Sequence, residues 1–251
     1  MSKFLPMLHS VFLILILIFI RSSQCNEPLK GKSYGKGQKF TIVFLHGDVS
    51  GAGEKPANYY ARFMSYIAAR APESTAIDML RPGYANGSGL VSPGTNHKRR
   101  DQYTATNNDL VAETLKSLRV SNPDAKLIVV GHSGGAAQLG AVIGRYPGIV
   151  DTAILLAFTC DIKKWRAKYR PFPRSEKQSP IKFASTIGPD TKVIAITGAR
   201  DKNTWSDLAK SYVDIAQKNG TDAILLEVAG VGHWDQQLEG YVARVMLEEA
   251  K

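Results

Sequence analysis

The chain has 251 residues, of which 44% are apolar and two are cysteines. That length excludes a disulfide-stapled mini-protein and suits one α/β domain with a real core. The formal charge of +10 bears on solubility and on anionic partners rather than on fold.

The first 25 residues differ in kind from the rest. MSK is followed by FLPMLHSVFLILILIFI and then RSSQC, which is a basic start, a short apolar stretch and small residues before a cut: the pattern of a secretory signal peptide. Cleavage after Cys25 puts Ser23 and Cys25 at the small-residue positions and removes Lys3 and Arg21. The alternatives are an uncleaved membrane anchor over residues 4–20, weakened by Pro6, His9 and Ser10, and a lipid-modified Cys25, for which Gln24 is a poor neighbour. An apolar run this short falls below the ~20 residues of a spanning helix. The expectation is therefore a secreted, extracellular or periplasmic protein with no membrane segment after cleavage. The mature chain keeps Cys160 alone, so export brings no internal disulfide.

Residues 26–38 (NEPLKGKSYGKGQ) are rich in Gly and Lys without periodicity and read as a flexible lead-in. From residue 39 onward strand-like and helix-like segments alternate. Strands are expected at 39–46, 76–80, 126–130, 153–158, 192–197 and 223–228. Helices are expected at 56–70, 103–120, 134–146, 208–218 and 238–250. IVFL, LIVV, AILLAF and VIAIT are apolar on both faces, as in a parallel sheet covered on both sides by helices. The expected fold is α/β, a mostly parallel, doubly wound sheet of about six strands. No internal repeat is present. Residues 159–191 exceed an ordinary connection and read as a small cap inserted into the 39–251 catalytic domain.

The chemistry centres on GHSGG, residues 131–135. A Gly-x-Ser-x-Gly pentapeptide arises by chance in roughly one chain in ten of this length, so its context decides. Here an apolar strand precedes it and a helix follows, the setting that exposes a serine hydroxyl on a sharp turn. Ser133 is a weak nucleophile unless a base lies within hydrogen-bond reach. An acid and then a histidine are required downstream. Asp201, in GARD, and His233, in AGVGHWD, each lie just past the end of an expected strand. In this arrangement His233 is the base, and Asp201 fixes its tautomer. Asp161, past the strand AILLAF, is the rival acid. The backbone N–H groups of Gly134 and of Asp48, or alternatively Val49, in LHGDVSGAG (45–53) are the candidate oxyanion donors. The Asp48 side chain is expected to point away from the site, and His46 to shape the loop.

LHGDVSG, RPGY, VVGHSGGA, TGARD and AGVGHWD together make residues 39–251 resemble the α/β-hydrolase superfamily, in particular its serine esterase and peptidase-like members. The resemblance implies acyl transfer to water through an acyl-serine, with a small-molecule ester or amide as substrate and no cofactor. Too few residues precede LHG for the two strands that usually open this fold, which points to a trimmed core.

The remaining features carry weaker signals. The cap is basic, with Lys163, Lys164, Arg166, Lys168, Arg170, Arg174, Lys177 and Lys182 against Asp161 and Glu176. That balance suits either an acidic substrate or cell surface, or simply a solvated face. Trp165, Tyr169 and Phe172 are expected to pack the cap onto the body. HKRRD (97–101) is a second basic cluster, and His97 there either reaches the pocket or stays an exposed loop residue. Without a reading motif, neither cluster supports nucleic-acid binding. Metal-ligand spacings (CxxC, HExxH) are absent. Asn86-Gly-Ser and Asn219-Gly-Thr are glycosylation sequons only if the source is eukaryotic.

Overall fold

The computed structural model describes residues 27–49, 57 and 60–251. The expected signal peptide and residues 50–53 of the LHGDVSGAG loop lie outside them. Among the described residues no helix is long and apolar enough to cross a membrane.

Among the described residues seven strands, rather than the expected six, form one sheet: β1 (Gly31–Tyr34), β2 (Phe40–Leu45), β3 (Ser74–Met79), β4 (Lys126–His132), β5 (Thr152–Leu156), β6 (Lys192–Gly198) and β7 (Ala223–Val228). Their order is β1-β3-β2-β4-β5-β6-β7. All pairs are parallel except β1 with β3. The lead-in is thus not wholly irregular. GKSY pairs antiparallel along β3, with Lys32 opposite Asp78, and Leu29 just before it is buried. Four mostly polar residues show no alternation, so the strand is set by the free edge of β3 rather than by its own pattern.

Side chains along each strand alternate between two cores. Val43, Leu45, Leu127, Val129, Ala153 and Leu155 face one layer, built by α2 (Ala105–Ser121), α3 (Gly134–Arg145) and α6 (Ser206–Lys218). Phe40, Ile42, Phe44, Ile128, Val130 and Ile154 face the other, built by α1 (Ala61–Arg70) and α7 (Gln236–Glu249). Caps fix the helix starts. The Thr104 hydroxyl accepts from the Asn107 amide at 3.3 Å, and Asp235 Oδ1 accepts from the Leu238 amide at 2.9 Å. β5 stops short of the expected Phe158 because Ala157 takes φ 48°, a left-handed turn.

This topology positions the site. β3 lies on one side of β2 and β4 on the other, so the chain changes direction at β2 and opens a crevice beyond the carboxyl ends of β2 and β4. GHSGG and the HG loop leave the sheet at that crevice. The cap follows β5 as two short helices, α4 (Ile162–Arg166) and α5 (Pro173–Lys177), with 3₁₀ turns at Pro180–Lys182 and Ala184–Thr186. Trp165 and Phe172 meet edge to face at 6.2 Å and pack with Tyr103, Ala137 and Ile162. Tyr169, expected beside them, is instead 66% exposed, with the Arg166 guanidinium over its ring.

One buried charge on the sheet has a measurable consequence. Asp78 is 6% exposed, and its Oδ1 has no partner among the described residues. Burial pushes its carboxyl up to about 6. A carboxyl whose folded pKa is raised favours folding most below its unfolded value, and that contribution is lost as pH rises through about 6. Asp78→Asn should therefore stabilise the protein at pH 8 by up to about 3 kcal/mol and give little advantage at pH 4. Urea unfolding at the two pH values checks this.

Candidate functional site

Ser133 sits between β4 and α3 at φ 52°, ψ −110°, a conformation that costs a non-glycine residue on the order of 1–3 kcal/mol. Its amide donates to the Leu156 carbonyl at 2.8 Å, and its carbonyl accepts from Ala137 at 3.0 Å, starting α3. The glycines on either side are required by contact. A Cβ on Gly131 would lie 2.7 Å from the Ala136 backbone, and one on Gly135 would lie 2.2 Å from the Leu45 carbonyl oxygen. α3 therefore starts directly against the end of β2. Gly134 is its first residue, where a backbone N–H has no acceptor within the helix.

The three residues singled out in the sequence meet here. His233 Nε2 lies 3.1 Å from Ser133 Oγ, and His233 Nδ1 lies 2.8 Å from Asp201 Oδ2. With Nδ1–H donating to the carboxylate, Nε2 is free to accept the serine proton. Asp201 is 5% exposed. Its Oδ1 accepts from the amides of Asn203 (2.8 Å) and Thr204 (2.9 Å), and its Oδ2 also accepts from the Thr204 hydroxyl at 2.7 Å. Burial alone would raise its pKa, but the His233 and Thr204 bonds prevail and hold it at about 2. The rival, Asp161, caps α4 by accepting from the Lys164 amide at 3.0 Å. Thr204, which the sequence reading did not single out, follows Asp201 at the spacing by which a carboxylate closes a turn on its own backbone. Asn203 Nδ2 also approaches His233 Nε2, at 3.3 Å.

The HG loop departs from expectation at Asp48. Its carboxylate does not point away from the elbow: a Cβ on Gly134 would fall 2.2 Å from Asp48 Oδ1. The reason is Arg81, from RPGY, which is 1% exposed. Its Nη1 donates to Asp48 Oδ1 at 2.8 Å and to the His46 carbonyl at 3.1 Å, and its Nε donates to Gln138 Oε1 on α3 at 2.6 Å. Tyr103 OH donates to Asp48 Oδ2 at 2.6 Å. Burial opposes the arginine charge, yet Asp48 holds its pKa above the ordinary value. Burial and Asp48 likewise keep the Tyr103 hydroxyl protonated. RPGY was legible as a motif, but nothing in it signalled a buried cation.

Two further histidines border the site. His46 Nδ1 lies 2.7 Å from the Gly47 carbonyl, and its Nε2 accepts from the Arg81 amide at 3.1 Å. This pattern fits a neutral ring that shapes the loop. His132 contacts Tyr60 OH through Nδ1 at 2.6 Å and lies with its ring centroid 5.3 Å from His233 and 4.7 Å from Trp234. Burial lowers both His46 and His132 to about 3. His97 lies against the cap, 3.5 Å from Arg174 Nη1. Cys160 is buried, and burial pushes its thiol up to about 12. Among the described residues no three His, Cys, Asp or Glu side chains gather as a metal site.

No protein-family model matches the chain, and no curated protein matches it in sequence. Solved structures do match in shape. Esterase PE8 superposes with a TM-score of 0.62 at 18% identity, covering 88% of this chain and 99% of that one. The Paleococcus ferrophilus monoacylglycerol lipase gives 0.64 at 14% identity, with 89% and 98% covered. A Mycobacterium tuberculosis puromycin-hydrolyzing peptidase gives 0.65 at 16% identity, with 90% of this chain matching 38% of that one.

Replacing Arg81 tests the buried ion pair. Arg81→Met should cost about 3 kcal/mol, because it leaves the Asp48 carboxylate without its cation. Adding Asp48→Asn should restore more than half of that loss. Urea denaturation of the two single variants and the double variant measures both effects.

Proposed function

We propose that this chain, which has the α/β-hydrolase fold, is an exported serine hydrolase that cleaves carboxylic esters through an acyl-serine intermediate. One observation carries the reading: His233 reaches Ser133 Oγ through one ring nitrogen and the buried Asp201 carboxylate through the other. Export rests on the leader-like residues 1–25.

In this reading Ser133 Oγ attacks the carbonyl carbon as its proton passes to His233 Nε2. The carbonyl π pair moves to oxygen, and the oxyanion is received by the amides of Gly134 and Asp48. Asp201, held ionised, stabilises the imidazolium. His233 then gives its proton to the leaving oxygen as the C–O bond breaks. Water repeats the sequence on the acyl-serine and regenerates Ser133. Amide cleavage is the second reading, because a peptidase is among the structures of the same fold.

A fluorophosphonate probe should label the wild type at Ser133 and fail to label Ser133→Ala. A folded wild type that takes no label would leave a binding protein on a hydrolase fold as the better account. Asp201→Asn should lower kcat on a 4-nitrophenyl ester by about 10⁴, whereas Asp161→Asn should stay within about threefold of wild type. Steady-state kinetics of both variants separates the two acids, and the reverse order would overturn the assignment of Asp201.

A further inference from the structure

The two basic segments, about seventy residues apart in sequence, meet at the site. The 97–101 loop and the cap face each other across two grooves that share Lys98, Arg100 and Phe172. The inner groove, about 360 Å³, is bounded by Asp48, Val49 and Trp165 and rimmed by Lys98, Arg99, Arg100 and Arg166. The outer one, about 750 Å³, continues past Arg170 and Arg174.

Two lining residues of the inner groove, Asp48 and Trp165, connect it to the site. Asp48 lies against Gly134. On the other side, the Trp165 indole N–H donates to Asn203 Oδ1 at 3.4 Å, and the Asn203 amide approaches His233 Nε2. The carboxylates lining the two grooves are already paired: Asp48 with Arg81 at 2.8 Å and Asp101 with Arg174 at 3.1 Å. Among the described residues, Lys98, Arg100 and Arg166 pair with no carboxylate. The loop and Arg166 are held in place. Asp101 accepts from the Ser175 amide at 2.7 Å and from the Arg174 amide at 3.1 Å, fastening the loop to the cap. Arg166 is pinned by the Arg170 carbonyl at 3.0 Å and lies over the Phe172 ring. A merely solvated face would spread its charges. Here they gather on two adjoining grooves, the inner one bounded by Asp48, which lies against Gly134.

Resting on the hydrolase reading, we infer that these grooves form a subsite for the anionic end of the substrate. The natural substrate class is then an ester carrying a carboxylate, or a similar oxyanion group, several bonds from the scissile carbonyl. Lys98, Arg100 and Arg166 receive the anion, and the aromatic wall of Trp165 and Phe172 covers the apolar spacer.

The test is a matched pair of substrates, the mono-4-nitrophenyl ester of adipic acid and 4-nitrophenyl hexanoate. They share a leaving group and a six-carbon acyl chain and differ in the terminal carboxylate. A second arm, 4-carboxyphenyl hexanoate against phenyl hexanoate, places the anion on the leaving group. The wild type should favour the anionic member of at least one pair by about ten- to a hundred-fold in kcat/KM. That preference should shrink as ionic strength rises. Arg166→Gln and the double variant Lys98→Gln/Arg100→Gln should each cut the ratio severalfold, mainly through KM. Lys168→Gln, on the exposed cap outside the grooves, should leave the ratio unchanged. Equal or reversed preference in both arms, in a protein that still takes the fluorophosphonate label, overturns the subsite and leaves the hydrolase reading intact. Loss of labelling overturns the hydrolase reading itself.

Discussion

Where α3 leaves β4, its first turn is packed against the last carbonyl of β2 with no room for a side chain at Gly131 or Gly135. The chain meets this contact by placing Ser133 in a left-handed conformation, which the surrounding sheet and helix hold against its cost. Much else follows from that one junction. It fixes the serine at the carboxyl edge of the sheet, beside the point where the strand order turns back on itself. Because β4, β5, β6 and β7 run parallel, the loops carrying Asp201 and His233 must emerge at the same edge.

Charge is then distributed by burial rather than by residue type. Three histidines border the elbow, yet two of them, His46 and His132, are held neutral by desolvation. His233, by contrast, is hydrogen-bonded to the Asp201 carboxylate. The Asp48 carboxylate lies against Gly134, the residue after Ser133, and Arg81 balances its charge. A guanidinium buried this deeply is stable only when its donors are satisfied. Asp48 and the His46 carbonyl take Nη1 and Gln138 takes Nε, tying the HG loop and α3 to one cation.

The sequence made the doubly wound fold and the Ser133–His233–Asp201 grouping readable because both rest on local signals. Strands apolar on both faces declare a covered parallel sheet, and glycines beside a serine declare a sharp turn. What it hid was set by tertiary contact. β1 forms only because β3 offers an edge. The Asp48 side chain faces the elbow only because Arg81, thirty-three residues on, arrives behind it. Tyr169 and Phe172 look equivalent in a list of cap aromatics, but α5 turns one inward and leaves the other in solvent.

Tyr103 shows how closely the cap and the site are joined. Its hydroxyl holds Asp48 Oδ2, while its backbone amide donates to Ser175 Oγ on α5 at 3.1 Å. Trp165 makes a second connection, through Asn203 to the His233 ring. A cap linked to both Asp48 and His233 cannot shift without disturbing one of them. The walls of the basic grooves and the electrostatics at Ser133 are therefore not separate features. Tyr103 and Trp165 tie the cap to the carboxylate beside Gly134 and to the amide beside His233, so the position of the cap bears directly on the geometry around Ser133.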